Sequence, residues 1–123
     1  MTIIEAISQI DDRKHNTYSQ ADKIGWLSKL DWMAKRLVID THEGSEDVYF
    51  DGYDEDSELE TVLLIPEPYD EVYLRWLEAH IDYANGEYEK YNNSAEAYNV
   101  LWQDYQKYYN RTHMPKGKKM RFF

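Results

Sequence analysis

The chain has no cysteine among its 123 residues, which excludes disulfides and thiolate metal sites. No apolar run approaches the length of a membrane-spanning helix, so no membrane partner is expected. The opening residues, MTIIEAISQIDDRK, lack the basic start and small-residue cleavage site of a secretory leader. These absences together predict a cytoplasmic protein. Positive charge is also missing over a long interval, since no lysine or arginine lies between Arg36 and Arg75. That interval holds thirteen acids, while the rest of the chain carries fourteen bases against eleven acids; the whole has a net charge of −10. The acids of its middle, Asp51, Asp54, Glu55, Asp56, Glu58 and Glu60, form a candidate acidic surface. They either attract a basic segment of a neighbouring copy or form a solvated loop.

Catalytic and metal-binding patterns are absent as well. A calcium loop started at Asp54 places Asp56 and Glu58 correctly. It then has Leu59 where glycine is required and Ile65 where glutamate is. His15, His42, His80 and His113 show no zinc-helix spacing, and no serine sits in a nucleophile elbow. His80 reads as a core or interface residue. The run PKGKK follows a helix instead of opening one, so it is no phosphate loop. The reading is therefore non-enzymatic, with no cofactor and no metal expected.

What the chain does have is helical periodicity and tyrosine. Ile3, Ala6, Ile7 and Ile10 make one apolar stripe, which predicts a helix over about residues 2–13. Ser19 is a good N-cap for a second helix whose predicted core side is Ile24, Leu27, Leu30 (or Asp31 if rotated), Met33, Ala34, Leu37 and Val38. Trp26 and Trp32 lie off the centre of that stripe, so each is either a partner contact or a core edge. Gly44 is a plausible stop. Val48-Tyr49-Phe50 and Val62-Leu63-Leu64-Ile65 then pair as a short hairpin, or stay an ordered loop packed by Tyr49, Phe50 and Leu64.

After Pro66 and Pro68 a third helix is expected near Tyr69–Asp70, apolar on most sides as far as Ala84, and hence central. Gly86 reads as a close helix crossing, and Asn92-Asn93 as the turn, with Asn93 and Glu96 capping the last helix. That helix carries Tyr98, Leu101, Trp102, Tyr105, Tyr108 and Tyr109 and should run back antiparallel. Nine of the twelve tyrosines fall in residues 66–117. A tyrosine combines a broad apolar face with a polar tip, which suits protein–protein contact. The predicted fold is a small all-α bundle of about four helices over residues 1–114, with an acidic loop or hairpin insertion at about 43–65. Residues 115–123 form a basic tail. Candidate partner-binding residues are Trp26, Trp32, Tyr108, Tyr109, Lys116, Lys118, Lys119, Arg121, Phe122 and Phe123, the last two as anchors.

The order of these features is familiar. YSQADKIGWLSKLDW, the acidic loop, PYDEVYLRWLEAHIDYANGEYEKYNNS and the closing YNRTHMPKG together resemble head–tail connector (head-completion) proteins. Such proteins are encoded beside capsid and portal genes in tailed phages and prophages of Gram-positive bacteria. The resemblance covers most of the chain and is strongest over residues 66–117. It implies a helical protomer that assembles into a homo-oligomeric ring on the portal protein, beside other head and tail connector proteins, first in the host cytoplasm and then in the virion. DNA would pass through such a ring without specific binding. Alternatives from the residues alone are a small acidic regulator that binds a host protein, and a DNA mimic.

Overall fold

The computed structural model describes residues 1–117; the remaining residues, including Lys118, Lys119, Arg121, Phe122 and Phe123, lie outside it. Within that range the protein is an all-α bundle: α1 (Ile3–Arg13), α2 (Gln20–Met33), α3 (Glu71–Ala84) and α4 (Tyr88–Thr112). Thr2 and Glu5 close a capping box at the start of α1, and Ser19 caps α2 through the Asp22 N–H. α3 packs against all three other helices, most extensively α4. Its buried residues Val72, Tyr73, Leu74, Leu77 and Ile81 meet Ile3, Ile7, Ile10, Ile24, Leu27 and Leu30 in one core. The expectation of a central third helix holds.

Three features depart from the periodicity reading. First, α2 does not continue as a regular helix but widens into a π-helical turn over Ala34–Val38, then a short 3-10 turn over Ile39–Thr41. A residue advances less around the axis of a wide turn. Val38 and Ile39 therefore reach the core, while Leu37, expected inside, is 58 % exposed. Met33 is only half-buried.

Second, no hairpin forms between residues 48 and 65. The backbone there pairs with the N-terminus instead. The Ile3 N–H donates to the Thr61 carbonyl (3.0 Å), the Ile4 N–H to Leu59 (3.0 Å), and the Leu63 N–H to Met1 (2.9 Å). The first N–H groups of a helix have no partner within it, so α1 supplies ready donors that a second strand would otherwise have to provide. The segment is an ordered loop. Phe50 and Leu64 pack in it, but Tyr49 is 83 % exposed and does not.

Third, the α3–α4 turn is Asn85–Gly86–Glu87, and Asn92-Asn93 lies inside α4. Gly86 has φ +75° and a Cβ there would meet nothing within 4 Å, so it is a left-handed helix stop and not a close crossing. Glycine takes that conformation without the steric cost other residues bear, and this outweighs the two asparagines. Asn93 is exposed and caps nothing, whereas its neighbour Ser94 is buried.

Candidate functional site

Between α3 and α4 the aromatic stripes of two helices face each other. α3 contributes Trp76, Ala79, His80 and Tyr83, and α4 contributes Tyr91, Ala95, Tyr98 and Asn99. Both sets follow the three- and four-residue spacing that puts side chains on one helical face. The two alanines leave space between the taller rings, and the result is an open groove of about 360 Å³. Tyr83 and Tyr91 meet edge-on at 5.2 Å, and Trp76 tilts against Tyr98 at 5.0 Å. The Trp76 Nε1–H donates to the Trp26 carbonyl (2.7 Å), which fixes the indole plane.

His80 sits between the two tryptophans, stacked on Trp26 at 5.1 Å and edge-on to Trp76 at 4.6 Å. Burial, aided by nearby Lys29, pushes its pKa down to about 4. It is therefore neutral at pH 7. The Tyr98 side chain is 8 % exposed and its hydroxyl has no hydrogen-bond partner among residues 1–117. Burial also holds that hydroxyl well above its ordinary pKa. The groove is thus aromatic and uncharged near neutrality, and the unpartnered Tyr98 hydroxyl lies buried away from its surface.

Beneath it lies a structural ion pair. Asp82 is fully buried, with the Lys14 Nζ 2.7 Å from Oδ1 and the Ser94 hydroxyl donating to Oδ2 at 2.9 Å. This contact explains why Ser94 and not Asn93 faces inward.

The acidic loop is held by a second buried carboxylate. Asp31 has no solvent exposure. It accepts from the Tyr73 hydroxyl (2.6 Å), the Tyr53 hydroxyl (2.5 Å) and the Leu64 N–H (3.1 Å), while Tyr73 Oη accepts from the Ile65 N–H (2.7 Å). Burial raises the Asp31 pKa in spite of those three donors. Nearby, the Tyr53 N–H donates to Ser28 Oγ (3.0 Å). Gly52, with φ +86°, lets the chain pass so close to Trp32 that a Cβ would come within 3.1 Å of the indole nitrogen. Tethered in this way, the loop presents Asp51, Asp54, Glu55, Asp56, Glu58 and Glu60 to solvent, all exposed. None of the six pairs with a lysine or arginine among the described residues.

The aromatic partner-binding candidates are mostly occupied within the fold. Trp32 is sandwiched between Phe50, edge-on at 4.8 Å, and the Arg36 guanidinium at 4.9 Å. Trp26 is half-buried against Tyr18 and His80. Tyr108 is half-buried and lies 4.8 Å from Tyr69. Tyr109 is an interior residue, 8 % exposed, stacked on His113 at 3.8 Å and edge-on to His42. It offers no face to a partner, because the chain after α4 folds back over it. The Lys116 N–H donates to the Thr41 carbonyl (3.0 Å) and the Glu43 N–H to Met114 (2.8 Å). The Lys116 side chain remains exposed.

The groove residues Tyr83 and Tyr91 did not stand out in the sequence. Alanines spaced among aromatics on two successive stripes were the available signal. Among the described residues, no three acids or histidines come together as a metal site, and no helix is long and apolar enough to cross a membrane. No family model, curated protein or solved structure matches the chain.

Proposed function

We propose that this chain is a non-enzymatic assembly protein, a head–tail connector that forms a ring on a phage portal. The observation that carries the reading is that the protomer offers two unlike surfaces facing different ways. The acidic loop is tied to the end of the bundle where α1 and α3 begin: Thr61 and Leu63 bind the N-terminal backbone, and the Met1 amine lies 3.7 Å from Asp70. The aromatic groove opens toward the other end, where α3 hands over to α4. Ring closure needs contacts in which one patch meets a different patch on the next copy, and a protomer with unlike ends meets that requirement. The groove brings together no pair of ionisable groups poised near neutrality, so it suits binding better than proton transfer. The resemblance to connector proteins supports the same role.

The test is light scattering or sedimentation of the purified protein, alone and mixed with the portal protein encoded nearest its gene. A ring-sized species, alone or with portal, supports the reading. A monomer indifferent to portal overturns it. One observation favours a second reading: the six exposed acids sit on an ordered loop, where the Asp54 side chain accepts from the Asp56 N–H at 2.9 Å. Fixed negative charges can mimic a phosphate backbone. Competition with DNA for a nucleic-acid-binding partner would select that alternative.

A further inference from the structure

We infer that the α3/α4 groove is the receptor for the C-terminal segment Lys116–Phe123 of another copy of this chain, with Phe122 and Phe123 seated among its rings. The contact deepens the connector reading and rests on it, since it supplies the joint between copies.

The groove asks for an occupant with aromatic and cationic character. Its walls are Trp76, Tyr83, Tyr91 and Tyr98, its floor Ala79 and Ala95. Ring faces of this kind favour edge-on aromatic partners and attract lysine or arginine groups at their margins. Tyr98 presents its ring to the groove, while its hydroxyl is closed off from solvent. The segment KGKKMRFF matches that chemistry, with two phenylalanines preceded by four cations. Charge agrees too. The start of α4 and the turn before it carry Glu87, Glu89 and Glu96 against Lys90 alone, in a chain of net charge −10.

Reach decides between a copy's own groove and its neighbour's. The C-terminal chain is pinned beside Thr41 and Glu43, and His42 Nε2 lies 2.8 Å from Asn110 Oδ1, so the segment departs from the far end of α4. At 1.5 Å per residue, the groove's centre near Ala95 is about 25 Å back along the helix from Thr112. Six residues beyond Gly117, fully extended, span about 20 Å. Even fully extended, a copy's own segment reaches no farther than the groove's near edge at Tyr98 and Asn99, whereas Tyr91 lies about 31 Å from Thr112, so docking among the far rings is in trans. A tail leaving one end and a groove near the other is a head-to-tail contact, the kind that closes a ring.

The experiment titrates a fluorophore-labelled KGKKMRFF peptide into the full chain and follows anisotropy, with circular dichroism as the folding check on each variant. Saturable binding is expected. Replacing both peptide phenylalanines by alanine should weaken it about 100-fold or more, as expected for two buried anchors. Ala95→Phe, which fills the groove, should weaken it at least about 10-fold. Binding that ignores the peptide phenylalanines, or vanishes in moderate salt while ignoring Ala95→Phe, would overturn the proposal. The peptide arm needs no protein variant, so a misfolded Ala95→Phe does not blunt the test. Portal-dependent assembly without peptide binding would sink the groove proposal and leave the connector reading standing. Peptide binding in a chain that never assembles would do the reverse.

Discussion

Removing the Asp31 carboxylate should be among the most damaging single changes in the protein. Asp31→Ala strips the acceptor from two tyrosine hydroxyls and one backbone N–H at once. A buried donor left unpaired costs about 1–3 kcal/mol. Tyr73 is fully buried and bears its full share, whereas half-buried Tyr53 can turn to water. Relief from burying a carboxylate offsets part of the loss. The net expectation is about 3 kcal/mol, a large fraction of the roughly 5–15 kcal/mol that holds a domain of this size. Asp31→Asn keeps one acceptor and the shape, so it should cost about 1 kcal/mol. Urea unfolding followed by tryptophan fluorescence measures both.

pH supplies an independent check on the same residue. Burial raises the folded pKa of Asp31 above its unfolded value, so the folded state holds the proton more readily. The stability this contributes is present below the unfolded value and is lost as pH rises through the folded one. The penalty of Asp31→Asn should therefore be greatest in acid and shrink as pH increases. Equal costs for the alanine and asparagine variants, or an alanine cost below about 1 kcal/mol, would refute the network argument.

Three further outcomes follow from the geometry. His80 should titrate near pH 4 by NMR; because its folded pKa is depressed, stability should fall as pH drops from its ordinary 6.5 toward 4, and His80→Phe should flatten that part of the profile. Gly86→Ala forces a side chain into left-handed backbone and should cost about 1–2 kcal/mol in thermal unfolding, with no packing clash to add to it. Reversing Asp54, Glu55 and Asp56 to lysine should leave the melting temperature within a few degrees, since all three are exposed. If the chain forms the proposed ring and the loop lines its lumen, the same change slows DNA passage, and unchanged ejection and assembly would dismiss that role.

The bundle was legible because its signals are local. Isoleucines at three- and four-residue spacing, the Ser19 cap and an all-round apolar third helix each act within a turn or two of chain. The misread places are those where a distant partner decided the outcome. Asn92-Asn93 carries a turn signal, but Gly86 had already made the turn, and Ser94 is drawn inward by Asp82 on another helix. Val62 has strand propensity, yet it pairs with Thr2, sixty positions earlier, because α1 has free donors there. Tyr109 looked like a surface anchor until the chain beyond it returned to bond with Thr41 and Glu43. The groove was half visible. Each stripe can be read along its own helix, but their apposition depends on where the turn falls, and the Asn92-Asn93 signal lies within about the first two turns of α4.

The wide turn at Ala34–Val38 makes this helix unusually forgiving of a lost residue. Deleting one position from a regular helix swings everything after it by about a quarter-turn and normally empties the core. Here Val38 and Ile39 stand four and five places after Ala34 on the buried face. Without Leu37 they would stand three and four places after it, the spacing that an ordinary α-helix buries. Excising an exposed leucine would thus convert the wide turn into regular helix with the same side chains inside. The bulge behaves as a removable insertion, a spare residue the fold has absorbed without changing what it packs.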